Sequence, residues 1–242
     1  MRIAIGLAAA ITLAGCGGGE TGNSSTPAAP VAGASAPAGT QWVDKVEKTA
    51  EGGFRMGNPD APIKLIEYGS RTCGHCAAFA TTGMEPLKAY IAAGKVSFEF
   101  RDFLLNQIDL GAALLGQCAG PGPFFAIMDQ MYEQQHTILQ NAPKQDDPFY
   151  KQVEAMPPAQ RVGATAEKFG YLAFVQQRGV SEAQAKQCLA DQGAIDALVK
   201  SNETAAKEYN IPGTPTFILN GKVLENTGTW PQVEAALKAA GA

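Results

Sequence analysis

The sequence predicts an α/β protein with a strand–helix–strand unit, a long helical insertion and a strand–strand–helix ending. Three observations carry this reading. An apolar run from Ile63 to Tyr68 ends at Gly69 and leads into Cys73-Gly74-His75-Cys76 and a helical pattern. An Asn-Gly pair at 220–221 separates two short β-prone runs near the C-terminus. Between them, residues 108–192 carry apolar stripes at helical spacing.

The chain opens MRIAIGLAAAITLAGC, with Arg2 ahead of an apolar stretch from Ile3 to Leu13. That stretch is too short to span a membrane as a stable helix and fits the apolar region of an export signal. Leu13-Ala14-Gly15-Cys16 resembles a bacterial lipobox, which implies removal of residues 1–15 and acylation of Cys16. An ordinary signal peptide with an incidental cysteine is the alternative. Of the 24 residues 17–40, 21 are Gly, Ala, Ser, Thr or Pro. Residues 16–40 therefore read as a lipidated cysteine and a disordered tether with almost nothing to bury. Gly17 stands where Asp commonly marks inner-membrane retention, so the expected place is the periplasmic side of a bacterial membrane, leaning to the outer one.

Residues 41–107 hold the first folded half. Ile63 to Tyr68 reads as a buried strand. After the cysteines, Met84, Leu87 and Ile91 recur at helical spacing, Pro86 is expected to kink the helix and Gly94 to stop it. Val96, Phe98 and Phe100 then alternate with polar residues as a second strand. This unit places CxxC at a helix N-terminus, where unpaired amides and the helix dipole stabilise a thiolate on Cys73. Two intervening residues let Cys76 reach back and close a disulfide. His75 is expected to lower the Cys73 pKa further through its charge or a donated hydrogen bond. A stabilised thiolate favours the reduced form, which makes the disulfide a better oxidant. A zinc site would need a second CxxC or HxxxH, and haem attachment would need His in place of Ala77. A purely structural disulfide is the remaining alternative. The other histidine, His136, reads as a surface group.

Residues 193–242 hold the second half. Thr216 to Leu219 and Lys222 to Leu224 flank Asn220-Gly221, the signature of a type I′ hairpin. Thr229 to Ala240 reads as a closing helix with Thr229 as N-cap and Pro231 in the first turn.

A βαβ unit bearing CxxC, followed by ββα entered through Thr214-Pro215, resembles the thioredoxin fold, and most of residues 54–242 resemble the DsbA-type disulfide oxidoreductases. The resemblance implies that Pro215 is cis beside the active-site sulfurs. It implies that Glu67, six residues before Cys73, is a buried acid that accepts a proton from Cys76 or tunes its pKa. An acid reaching solvent at the sheet edge is the alternative for Glu67. The Gly74-His75 dipeptide and Thr214 are similar to those of protein disulfide isomerases, which leaves the direction of electron flow open.

The resemblance also implies a helical insertion over 108–192. Phe124, Ile127, Met128, Met131 and Tyr132 form one stripe there; Val162, Ala166, Phe169, Ala173 and Phe174 form another. Ser181 with Gln184 reads as a capping box for a helix carrying Cys188. With Cys16 lipidated and Cys73 paired to Cys76, Cys118 and Cys188 remain. In an oxidising compartment they are expected to pair, as in some DsbA-like proteins, and two separate buried thiols are the alternative.

The expected function is a membrane-tethered thiol–disulfide oxidoreductase acting on exported proteins, with oxidase as the leading reading. It needs no cofactor beyond Cys73–Cys76, and an unidentified redox partner resets it. Isomerase or reductase action, Cu(I) handling by Cys73, Cys76 and His75, and a redox-inert binding module are the alternatives. Residues 41–53 are too short for an added dimerisation domain, so a monomer is expected. Nineteen basic against 23 acidic residues give a net charge of −4, which speaks against nucleic acid as a partner.

Overall fold

A computed structural model describes residues 28–140, 142–144 and 147–242. The expected export signal and Cys16 lie outside the described residues. The elements in chain order are β1 (Val46–Lys48), β2 (Phe54–Met56), β3 (Ile63–Gly69), α1 (Gly74–Ala92), β4 (Val96–Asp102), α2 (Gln107–Gln117), α3 (Phe124–Glu133), α4 (Gln135–Gln140), α5 (Pro148–Ala155), α6 (Pro158–Lys168), α7 (Tyr171–Gln176), α8 (Glu182–Leu189), α9 (Gln192–Tyr209), β5 (Thr216–Leu219), β6 (Lys222–Val223) and α10 (Trp230–Ala239). Among the described residues, no helix is long and apolar enough to cross a membrane.

The sheet runs β1-β2-β4-β3-β5-β6. Only β3 and β4 are parallel, as the α1 crossover requires; the other neighbours are antiparallel. The expected strands and the closing hairpin are present, with Asn220 and Gly221 at φ +49° and +81° in the turn. Thr229 caps α10, and Gln232 Oε1 reaches back to the Thr229 N–H at 3.1 Å. The short antiparallel ribbon of β1 and β2 was not anticipated, because three-residue strands carry too little alternation to be read.

Two expectations about helices need correction. The stripe from Val162 to Phe174 is not one face of one helix. Gly170 takes φ +84° between α6 and α7, which breaks the phase. Ala173 is consequently exposed, whereas Phe174 is buried as expected, together with Tyr171, Leu172 and Val175. The stripe on α3 is divided between two cores. Phe124, Met128 and Tyr132 pack with the sheet and α1, whereas Ile127 and Met131 face the other helices. The insertion is thus fastened to the sheet domain through α3. The long α9 bridges in the same way, with Leu198 in the helical core and Ala205 against the sheet. α1 runs unbroken past Pro86, and its face of Met84, Leu87 and Ile91 is buried.

Residues 28–34, expected to be part of a disordered tether, dock on the domain. Ala28 N donates to Ala239 O (3.0 Å) and Val31 N to Gly241 O (2.8 Å). The Trp42 indole donates to Ala34 O (2.7 Å). Small residues offer little side chain to bury, but here the backbone itself docks. At Gly94, with φ +68°, a Cβ would stand only 2.1 Å from Ala34 O, so glycine permits the close approach.

Candidate active site

β3 ends at Gly69, and residues 70–73 turn the chain into α1, with Cys73 N donating to Ser70 O at 3.2 Å. Cys73 is the N-cap residue of α1 and lies half-buried; Cys76, one turn in, is fully buried. Both are free thiols in this structure. Opposite them lies the loop before β5, where the Thr214–Pro215 peptide bond is cis. The Cys73 thiol donates to Thr214 O at 3.1 Å. Residues 142 positions apart in sequence, Cys73 and Pro215, thus line one site.

The two sulfurs have opposite electrostatics. The Cys73 pKa is drawn down to about 5, first by a hydrogen bond from the Cys76 thiol. Burial opposes this, while the Thr214 side chain and the backbone N–H groups of Cys76 and His75 add to it. The Thr214 hydroxyl is buried and otherwise unpartnered, so it is available to a thiolate when the carbonyl loses its thiol donor. Burial pushes Cys76 well above its ordinary range, and its hydrogen bond to Cys73 and the charge of Glu67 push it further.

Glu67 lies mid-strand in β3, between Phe100 of β4 and Phe217 of β5, and is only 2% exposed. The edge-acid alternative is therefore excluded. Burial raises its pKa well above the ordinary carboxyl range, and the charge of Cys73 raises it further, against a pull from Arg71. Its Oε1 has no hydrogen-bond partner. His75 stands in the first turn of α1. Its side chain is exposed and faces a groove of about 370 Å³ that also touches Thr214, Pro215, Leu224 and Thr227. Its backbone N–H is among the groups that lower the Cys73 pKa. Gly74 is exposed, with open space where a Cβ would stand.

The other pair is remote in kind. Cys118 caps the C-terminus of α2, Cys188 sits in the last turn of α8, and the two are joined with Cα atoms 5.9 Å apart.

A family model described as "Thioredoxin" matches residues 49–239. The chain belongs to the thioredoxin family. Two relatives named "Putative protein-disulfide oxidoreductase" are similar to it. The one from Rickettsia bellii is 28% identical over 180 residues, covering 74% of this chain and 61% of that protein. The one from Rickettsia typhi is 29% identical, covering 71% and 56%. The chain thus spans little more than half the length of these relatives. Among solved structures, a protein-disulfide isomerase from Novosphingobium aromaticivorans superposes with a TM-score of 0.71 at 29% identity, covering 76% of this chain and 96% of that one. Wolbachia pipientis alpha-DsbA1 shares the fold at a TM-score of 0.57 and 20% identity, over 76% and 87% of the two chains. The architecture is therefore a thioredoxin fold with a DsbA-like helical insertion.

This thioredoxin-family site contains residues that sequence reasoning missed, and they hold the backbone of the turn from Ser70 to Cys73. Tyr132 Oη donates to Ser70 O at 3.1 Å. Gln135 Nε2 donates to Arg71 O (2.9 Å) and to Cys73 O (3.0 Å). Asp109 Oδ1 accepts from Thr72 N and from Ser70 Oγ, both at 2.9 Å, and its Oδ2 accepts from Leu105 N at 2.9 Å. Arg71 is buried between Phe100 and Phe124 and paired with Asp102 at 2.6 Å. Gln135 left a usable signal: it continues the apolar face of Met128, Met131 and Tyr132, and a polar residue on a buried face needs a partner. Asp109 left none, because an acid in a first helical turn is ordinary.

Proposed function

We propose that the protein is an extracytoplasmic thiol–disulfide oxidoreductase that works mainly as an oxidase of exported proteins. The reading rests on one observation: a half-exposed, thiolate-favouring Cys73 faces the Thr214–Pro215 loop while Cys76 behind it is buried and resists ionisation.

In the oxidising direction a substrate thiolate attacks Cys73 Sγ of the Cys73–Cys76 disulfide. The new bond joins substrate sulfur to Cys73, the old S–S bond breaks, and its electron pair leaves on Cys76. Cys76 takes a proton readily, and the raised pKa of Glu67 makes its carboxyl a fitting donor. A second substrate thiolate then attacks the substrate sulfur and expels Cys73 as a thiolate, which the turn stabilises. Two electrons pass from substrate to the Cys73/Cys76 pair, and no further cofactor enters the balance. The groove beside Pro215 offers an extended substrate segment a place to lie.

Isomerase action is the second reading, supported by the likeness to the Novosphingobium isomerase and by the Gly74-His75 dipeptide. The reduction potential of the Cys73/Cys76 pair, in full chain carrying Cys16→Ala, separates the two. An oxidase is expected at about −120 mV, an isomerase at about −180 mV, and a value of about −270 mV marks a reductase and ends the oxidase reading. We also place the protein on the periplasmic side of a bacterial membrane through acylated Cys16. Cys16→Ala is expected to move it to the soluble fraction; wild-type protein already soluble and unacylated by mass spectrometry defeats the anchor.

A further inference from the structure

The helical insertion reaches the redox loop at Gln135, a side chain that touches neither sulfur. We propose that Gln135 is a positioning residue for Cys73: by tying Arg71 O and Cys73 O to one amide, it fixes the first turn of α1 so that the N–H groups of His75 and Cys76 face the Cys73 sulfur. The inference rests on the oxidoreductase reading and deepens it.

Four observations carry it. Gln135 Nε2 spends both hydrogens on this loop, at 2.9 and 3.0 Å. The side chain is buried, so these bonds are not exchanged freely with water. Cys73 O is also the acceptor of the first intrahelical bond of α1, from Ala77 N at 3.1 Å, so fixing that carbonyl fixes the peptide planes that follow it. The anchor is firm, because Tyr132, three residues earlier on the same face, holds Ser70 O. Gln135 is uncharged, so it acts on Cys73 by geometry alone. The titratable groups near the sulfur, Cys76 on α1 and Glu67 with Arg71 beside it, all remain in the chain when Gln135 is replaced.

The test uses full chain carrying Cys16→Ala, which removes a further thiol, and the free thiols that remain are then Cys73 and Cys76. Thiolate absorbance is followed against pH, and the dithiol is equilibrated with glutathione. Gln135→Met is expected to lower the thiolate-to-thiol ratio of Cys73 about tenfold at a given pH, on the order of one hydrogen bond's worth. The glutathione equilibrium moves by a similar factor toward the disulfide. Gln135→Asn, too short to span both carbonyls, is expected to fall between, and serves if Gln135→Met fails to fold. Ile138→Ala empties a buried position on the same helix, facing the other core, and is expected to lower Tm while leaving both readouts in place. A low wild-type midpoint that Gln135→Met and Gln135→Asn do not move overturns this inference alone, as does Ile138→Ala moving both readouts equally. A wild-type midpoint near ~8.5 overturns the oxidoreductase reading and this inference with it.

Discussion

The two cysteine pairs of this molecule stand at opposite ends of helices. Cys73 is at the N-terminus of α1, where backbone N–H groups converge on its sulfur. Cys118 and Cys188 are at the C-termini of α2 and α8, where carbonyl groups and the negative end of the dipole disfavour a thiolate. A disulfide between Cys73 and Cys76 would therefore differ from the Cys118–Cys188 bond. Reduction of the first pair is rewarded by a stable thiolate; reduction of the second is not, and it also releases a loop closed over a sequence separation of 70. What separates a redox-active bridge from a structural one is what surrounds the reduced sulfur.

The largest expected effect tests the asymmetry within the first pair. Cys73→Ser should abolish exchange with dithiol substrates, whereas Cys76→Ser should accumulate covalent substrate complexes visible on non-reducing gels. Complexes formed through Cys76 in a Cys73→Ser variant would reverse the assignment of the attacking sulfur.

The second pair is tested by stability. Replacing both Cys118 and Cys188 with Ala should cost about 4 kcal/mol by the chain-entropy relation, read as a lower denaturant midpoint with Cys73/Cys76 exchange retained. Mass mapping after mild reduction should find Cys73 and Cys76 labelled first. Prior labelling of Cys118 and Cys188 would erase the distinction drawn here.

The pH dependence sharpens the contrast. The folded Cys73 pKa, about 5, lies below the ~8.5 of an unfolded thiol. Between those values the unfolded dithiol binds more protons, so stability of the reduced protein should rise with pH and be lost as pH falls through about 5. Cys76 acts oppositely: its raised pKa should erode stability above ~8.5. Oxidised protein should lack both effects, so the difference between the two unfolding profiles isolates them. A pH-independent difference would contradict the local electrostatics.

The smallest expected effect is at His75. Its side chain is exposed and its contribution runs through the backbone N–H, which leucine retains. His75→Leu should change the Cys73 thiolate ratio by less than about threefold, since an exposed charge is weakly coupled in high dielectric. A tenfold change by absorbance titration would restore the imidazole to the role its place in the motif implied.

Much of this molecule follows from local rules, and those parts were legible in the chain alone. A CxxC after a buried strand and before a helix, an Asn-Gly hairpin and a Thr-capped closing helix each depend on neighbours within a few residues. The α/β class and the candidacy of Cys73 and Cys76 as the reactive pair follow from them. Tertiary structure decided what depends on residues far apart. It brought Thr214 and Pro215 to Cys73, buried Glu67 between two strands, divided the α3 stripe between two cores and left the His75 side chain exposed. It also seated residues 28–34 on the domain, where composition alone implied a free tether. The reason is physical. Periodicity and capping report which face of an element is apolar, whereas hydrogen bonds such as those of Gln135 and Asp109 to the redox loop exist only after separate elements have packed.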